Sequence, residues 1–217
     1  TAITVAYKTP DLMKDYVKAL RTYYPVMNLI IINNSPQDDR CTDELRKLAR
    51  SDGNLRLVQT VFNIGHGQGL NAGIERAKTP YLLLMDSDSL IMRGGLVEDM
   101  MEQMDIGKYG IGYTIFTGYG GGGFRSPWRG DTIKEGEIIY LHPFCCLVSR
   151  EMFWKFPPYE SYGAPFVKAM RAIWATGKAE ELIIDFPVKK YIKHLSGGTR
   201  AKYGSYEDMQ EVKNAIC

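Results

Sequence analysis

A single α/β domain, with a mostly parallel sheet covered by helices on both faces, is the fold class this sequence predicts. Three observations carry the prediction. Four short apolar runs alternate with three helix-like stretches within residues 1–90, the pattern of successive parallel strands joined by crossover helices. The fourth run, Tyr81-Leu82-Leu83-Leu84-Met85, is apolar at every position, as a strand buried on both faces must be. The length of 217 residues suits one such domain, and a hydrophobic content of 45% is enough for a sizeable core.

The elements follow in order. Residues 2–7 read as the first strand. Thr9-Pro10-Asp11 then opens a helix, with Thr9 at the N-cap and Pro10 at the first helical position. Leu12, Tyr16, Leu20 and Tyr24 recur every fourth residue and give that helix its buried stripe. Residues 29–32 form a second buried strand, which ends in the turn cluster Asn33-Asn34-Ser35-Pro36. A helix over 39–50 turns Cys41, Leu45 and Leu48 inward, and residues 55–60 make the third strand. A glycine-rich turn at 65–69 leads into a helix over 70–78 and then the fourth strand. Right-handed crossovers make this a Rossmann-like arrangement.

Beyond Asp88 the alternation breaks down. A helix near 95–104, a strand near 109–115, a glycine run at 118–123, an extended stretch at 138–148, a helix over 162–176, a short strand at 182–185 and a polar tail are expected. No internal repeat or linker is present.

Composition narrows the function. A net charge of +2, from 27 basic against 25 acidic residues, gives no general nucleic-acid footprint. The 4 cysteines lack metal-ligand spacing, and the adjacent Cys145-Cys146 reads as a buried strand segment, which favours a reducing compartment. No apolar stretch reaches the roughly 18–20 residues of a membrane span, and no signal-peptide pattern is present. A cytoplasmic location follows as the expectation, with peripheral membrane attachment left open for a membrane-associated acceptor.

The chemistry concentrates at Asp86-Ser87-Asp88, directly after the fourth strand. The carboxyl ends of parallel strands are where open α/β sheets bind ligands. Continued as extended chain, the two carboxylates would point the same way, about 6–7 Å apart. Acids held so close repel unless a cation lies against them. A hard divalent metal bound to a phosphate-bearing substrate is the occupant this chemistry favours. The late basic residues Lys189, Lys190, Lys193, Arg200 and Lys202 could neutralise a diphosphate nearby.

Taken together, Asn33-Asn34-Ser35, the loop from Asn63 to Ile74 (Asn63-Ile-Gly-His-Gly-Gln-Gly-Leu-Asn-Ala-Gly-Ile), Ala77 and residues 81–88 resemble the family 2 glycosyltransferases of the GT-A fold. The loop fits the N-x-G-x-x-x-G-x-N-x-G pattern of the rhamnosyltransferase-type branch. The resemblance covers residues 1–90 and implies a nucleotide-diphosphate-sugar donor, a Mn²⁺ or Mg²⁺ ion, and transfer of the sugar to a glycan, lipid-linked or protein acceptor. It makes residues 1–90 the nucleotide-sugar-binding half and 91–217 the acceptor-facing half. By the same resemblance Asp86 approaches the ribose and Asp88 ligates the metal. Thr9-Pro10 lies against the nucleotide, and His194 matches a late histidine that completes the metal site. An imidazole beside carboxylates suits Mn²⁺ as well as Mg²⁺, and Ser196-Gly-Gly-Thr199 after it reads as a phosphate-binding turn.

Read directly, the glycines Gly65, Gly67 and Gly69 let backbone approach a nucleotide, while Asn63 and Asn71 offer polar edges to it. The spacing is not that of a dinucleotide fingerprint, and it opens the third βα unit rather than the first. His66 is expected only to decorate this loop. Two features depart from the family. Asn33 stands where an Asp commonly recognises the base, with Asn34 beside it as a further donor contact, and Leu70 replaces a frequent basic residue. The acidic motif that supplies the base of inverting members has no counterpart in residues 162–171. Glu160 is the nearest acid, with Asp185 more distant, so inverting transfer with Glu160 as general base is the expectation; such help is worth roughly 10²–10⁴-fold. Trp128 and His142 are the candidate acceptor contacts. A nucleotidyltransferase of similar fold, or a nucleotide-sugar-binding module without a catalytic base, remains open.

Overall fold

The computed structural model describes residues 1–118, 132–160 and 163–195. The strand β1 (Ala2–Ala6) is followed by α1 (Pro10–Tyr23), β2 (Leu29–Asn33), α2 (Arg40–Ser51), β3 (Leu55–Gln59), α3 (His66–Arg76) and β4 (Tyr81–Met85). The expected alternation is therefore present in order. Then come β5 (Ser89–Ile91), α4 (Leu96–Gln103), β6 (Gly110–Gly118), β7 (Glu137–Ser149), α5 (Arg150–Phe153), α6 (Val167–Ala175), α7 (Ala179–Leu182), β8 (Ile183–Asp185), a 3-10 turn at Val188–Lys190 and β9 (Ile192–His194).

The main sheet has seven strands in the order β3-β2-β1-β4-β7-β6-β8. β1 pairs in parallel with β2 and β4, and β2 with β3. β7 runs antiparallel to both β4 and β6, so the sheet is mixed but mostly parallel.

Period-two geometry divides each central strand between two cores. In β4, Leu83 and Met85 join the core with Met13, Tyr16 and Leu20 of α1 and Leu96 and Met100 of α4. Leu82 and Leu84 face the other core, with Leu70 and Ile74 of α3 and Met170 and Ile173 of α6. Burial on both faces explains why this strand has no polar position. Cys145 and Cys146 of β7 split the same way, are buried and form no disulfide among the described residues.

Several expectations change. Thr9 occupies the N-cap of α1 with Pro10 just inside, but its side chain makes no capping bond, and its buried Oγ1 has no hydrogen-bond partner. The glycine run is not a turn before α3; it is the first part of that helix, which starts at His66. Gly65, at φ 87, takes the left-handed conformation that only glycine adopts without penalty and so lets the helix start sharply. Gly67 packs on the protein itself, since a Cβ there would lie 1.7 Å from the Glu160 carbonyl oxygen. The helix expected over 162–176 begins at Val167. Among the described residues no helix is long and apolar enough to cross a membrane. Trp128, Ser196–Thr199 (196–199), Arg200 and Lys202 lie outside the described residues.

Candidate active site

The parallel strands β1, β2, β3 and β4 all end at one edge, and the site is built there. After Met85 the chain does not continue extended. The Ser89 N–H donates to the Asp86 carbonyl at 3.0 Å and closes a turn over Asp86-Ser87-Asp88. The two carboxylates thus converge through a turn rather than through strand periodicity, which corrects the extended geometry expected for them. The carbonyl of Phe144 on β7 secures the turn by accepting from Asp86 N–H at 3.2 Å and from Ser89 Oγ at 2.9 Å.

The short two-stranded ladder β5-β9 brings in the third group. Ser89 pairs opposite His194, and the Leu195 N–H donates to the Asp88 carbonyl at 2.8 Å. His194 also stacks on the Phe144 ring, centroids 4.9 Å apart, which fixes the plane of its imidazole. Its Nε2 lies 3.3 Å from Asp88 Oδ1. Asp86, Asp88 and His194 each offer a ligand atom, and those atoms all lie within 4.8 Å of one another.

The electrostatics are those of a cation-seeking corner. Burial works to raise the Asp86 carboxyl, but His66, His142 and His194 together outweigh it and hold Asp86 below the usual carboxylate range. Contact with Asp88 lifts His194 above the ordinary imidazole value, against its partial burial. Asp86 Oδ1 is enclosed yet makes no hydrogen bond among the described residues, its ion-pair contact with His66 Nε2 at 3.2 Å not being aligned as one. Buried polar atoms are normally satisfied, so an enclosed carboxylate oxygen with an open lone pair, beside a second acid and an imidazole, fits a divalent cation. The donor set of two oxygens and one nitrogen suits Mn²⁺ or Mg²⁺.

The asparagines have a different position. The Asn33 Nδ2 donates to Thr42 Oγ1 at 2.7 Å and Gln59 Oε1 at 2.8 Å, while its Oδ1 accepts from Ser35 N–H at 3.1 Å. Asn34 donates to the Gly65 carbonyl at 3.2 Å and accepts from Thr60 at 3.1 Å. Asn63 Oδ1 accepts from Gly65 N–H at 3.0 Å. Asn71 donates to the Tyr159 carbonyl at 2.9 Å and accepts from its N–H at 3.0 Å. These amides shape the loops around the site through bonds inside the protein. Asn33, fully buried with both amide hydrogens engaged, has none to offer a base. The close approach expected of Gly69 to a ligand is likewise a contact with Val5, whose Cγ2 lies 2.8 Å from where a Cβ would stand.

Glu160 is exposed, and its backbone lies against Gly67 in the first turn of α3. Its N–H donates to the Pro165 carbonyl at 2.8 Å. Asp185 accepts from Thr114 N–H at 3.1 Å and Oγ1 at 2.6 Å, in the β6-β8 margin of the sheet. His142 sits on β7 among Tyr113, Tyr140 and Phe144. Burial depresses it to about 4, so it is neutral at pH 7, and its Nδ1 accepts from Phe144 N–H at 3.2 Å. Lys189 stands over the Tyr113 ring, 4.5 Å from the centroid, on the His142 side of the site.

One site residue escaped the sequence reading. His66 places Nε2 3.2 Å from Asp86 Oδ1. The signal was available: a histidine opening the helix that precedes β4 must lie at the edge where β4 ends. Treating 65–69 as a turn concealed it.

Known proteins give the same architecture. The family model "Glycosyl transferase family 2" matches residues 1–156. No curated protein sequence matches significantly. Among solved structures, the mannosyltransferase PcManGT from Pyrobaculum calidifontis, in complex with GDP-Man and Mn²⁺, superposes with a TM-score of 0.62 at 15% identity, covering 86% of this chain and 54% of that one. S. aureus TarS residues 1–349 with UDP-GlcNAc gives 0.59 at 16%, covering 99% and 64%. GalNAc-T7 with UDP, GalNAc and Mn²⁺ gives 0.62 at 12%, covering 81% and 40%. The chain spans less than two thirds of each of these proteins, and at such identities the likeness is one of fold. The family match, over more than half the chain, is decisive: this protein belongs to glycosyl transferase family 2, and its sheet is of the GT-A type.

Proposed function

We propose that this family 2 chain carries the catalytic core of a metal-dependent glycosyltransferase, which moves a hexosyl or deoxyhexosyl group from a nucleotide-diphosphate-sugar to an acceptor hydroxyl with inversion. The observation that carries the reading is the convergence of Asp86, Asp88 and His194 at the carboxyl edge of the sheet, with the enclosed Asp86 Oδ1 making no hydrogen bond among the described residues. Asp88 and His194, with Asp86, would hold Mn²⁺ or Mg²⁺, and the ion would stabilise negative charge on the departing diphosphate as a Lewis acid. The mannosyltransferase and GalNAc-T7 neighbours, both solved with Mn²⁺, support that assignment. The rhamnosyl-type loop pattern of residues 63–73 supports a deoxyhexose among the donors.

The chain's own residues supply the rest. Thr9, Pro10, the 63–65 loop and the first turn of α3 border the nucleotide, in a shape fixed by Asn33, Asn34 and Asn71. In the transfer, the acceptor oxygen attacks the anomeric carbon, and the bond from that carbon to the diphosphate oxygen breaks with its electron pair leaving on the diphosphate. The acceptor proton passes to Glu160, the exposed acid whose backbone abuts the start of α3. His142, neutral and framed by aromatic rings, lines the acceptor side, where its imidazole can accept or donate a hydrogen bond to a sugar hydroxyl.

The test is release of nucleoside diphosphate from a panel of UDP-, GDP- and dTDP-sugars with and without Mn²⁺. Metal-dependent release of UDP, GDP or dTDP with one donor class, lost in Asp88→Ala, is expected. Glu160→Gln should lower transfer to acceptor about 10²-fold or more while leaving donor binding intact. Affinity for donor without any turnover would instead identify a binding module, and pyrophosphate-linked nucleotidyl transfer would identify the rival enzyme class.

A further inference from the structure

We infer that His66 is a positioning residue for the metal site, acting through Asp86; this rests on the metal-dependent reading above and deepens it. The three histidines of the chain all act on the acid pair, but they do so from different elements and in different ways. His194 belongs to the ligand triangle. His142 is half-buried, neutral and set among its aromatic neighbours. His66 forms its ion pair with Asp86, at 3.2 Å from Nε2 to Oδ1, and is not a member of the triangle whose atoms lie within 4.8 Å.

The arrangement of α3 makes that contact deliberate. His66 is the first residue of the helix, directly after Gly65 at φ 87, so its ring direction is set by a backbone that is itself held. Asn63 Oδ1 accepts from Gly65 N–H at 3.0 Å, and Asn34 donates to the Gly65 carbonyl at 3.2 Å. On the other side Gly67 is wedged against the Glu160 carbonyl, and Gly69 and Gly73 press α3 onto Val5 and Ile3 of β1. A helix start clamped on three sides cannot drift, and the imidazole it carries is aimed at one carboxylate. The contact at 3.2 Å stops short of hydrogen-bond geometry, which leaves Oδ1 a lone pair for a cation. His66 therefore restricts the rotation of Asp86 while keeping it available, the part that outer-shell partners play for ligating groups. It also joins the helix carrying the glycine loop to the turn carrying the acids, so that the two walls of the site keep one spacing.

Metal uptake tests this independently of turnover. Free Mn²⁺ is measured by electron paramagnetic resonance during titration of the protein, alone and with UDP or GDP. His66→Ala should weaken Mn²⁺ binding about 10–100-fold. His66→Gln, whose amide can still reach Asp86, should recover most of that loss. Asp86→Asn should weaken binding at least as much, and adding His66→Ala to Asp86→Asn should change it little further, because the histidine acts through that carboxylate. Wild-type uptake retained in His66→Ala, or additive losses in the double variant, overturns the proposal alone. A wild-type protein that takes up no Mn²⁺ under either condition overturns the metal reading and this proposal with it. Thermal melting of each variant separates these outcomes from loss of fold.

Discussion

Two clusters of polar residues share one edge of the sheet, and they are finished in opposite ways. The asparagine cluster, Asn33, Asn34, Asn63 and Asn71, makes its hydrogen bonds within the protein, to Thr42, Gln59, Gly65 and the Tyr159 backbone. The acid–histidine cluster, assembled from the turn after β4 and from β9, brings like charges together and leaves Asp86 Oδ1 enclosed without a hydrogen bond among the described residues. A satisfied buried network rigidifies its surroundings, while an unsatisfied one stores a demand for a partner. The first cluster shapes its own loops, and the second has the chemistry to take a cation.

That distinction makes opposite mutational signatures. The largest effect is expected at the unfinished cluster: Asp88→Asn should lower donor turnover by about 10³-fold or more, as removal of charge stabilisation at a reacting group does. Its melting temperature should stay within about 2 °C of wild type, since relieving acid–acid repulsion offsets the lost contact with His194. Addition of UDP with Mn²⁺ should raise the melting temperature of wild type and not of the variant. A variant that unfolds would mean that the acids are structural and would erase the contrast.

The finished cluster should respond through stability. Asn71→Ala leaves the buried Tyr159 N–H without its partner and its C=O with only the longer 3.4 Å bond from Gln68 Nε2, at about 2–4 kcal/mol. For a chain of this size that is a fall in melting temperature of about 5–15 °C. Residual activity at low temperature should retain the wild-type Mn²⁺ requirement. If Asn71→Ala instead melts like wild type and raises the donor KM, the amide faces the nucleotide and the division of labour is wrong.

The same contrast explains what could be read without coordinates. β4 and its acids were legible because an all-apolar run from 81 to 85 has only one environment and a chain leaving it has only one edge to reach. The asparagines were legible as positions but not as roles: whether an amide points out to a ligand or in to Gln59 depends on pairing between β2 and β3, which no local pattern encodes. His66 was missed because Gly65-His66-Gly67 reads as a turn by propensity, and tertiary packing on Val5, Ile3 and Glu160 makes it helix instead. The convergence of His194 on Asp88 needed the β5-β9 ladder, whose strands of three residues leave too little periodicity to detect.

The smallest expected effect sharpens the comparison from a third position, His142, a histidine beside the acids but treated like the finished cluster. Burial holds it neutral, with a value near 4, although Asp86 and Asp88 pull the other way. An unfolded histidine titrates near 6.5, so between those values the unfolded chain binds a proton that the folded chain does not. Stability from this group is therefore full above about pH 6.5 and is lost as pH falls toward 4. Between pH 7 and pH 5 the loss is about 2 kcal/mol. His66 and His194, both lifted above the ordinary value, act in the opposite sense: the stability they contribute is present in acid and lost as pH rises through their folded values. The wild-type profile is thus a partial cancellation, and the comparison of wild type with His142→Phe isolates the one group. The variant loses the acceptor for Phe144 N–H at every pH, which is a constant offset. Urea midpoints measured without metal at pH 7 and pH 5 should show wild type losing more stability than His142→Phe on acidification. Parallel shifts in both proteins would mean that His142 is hydrated, and that its side of the site is as open to solvent as the acid pair.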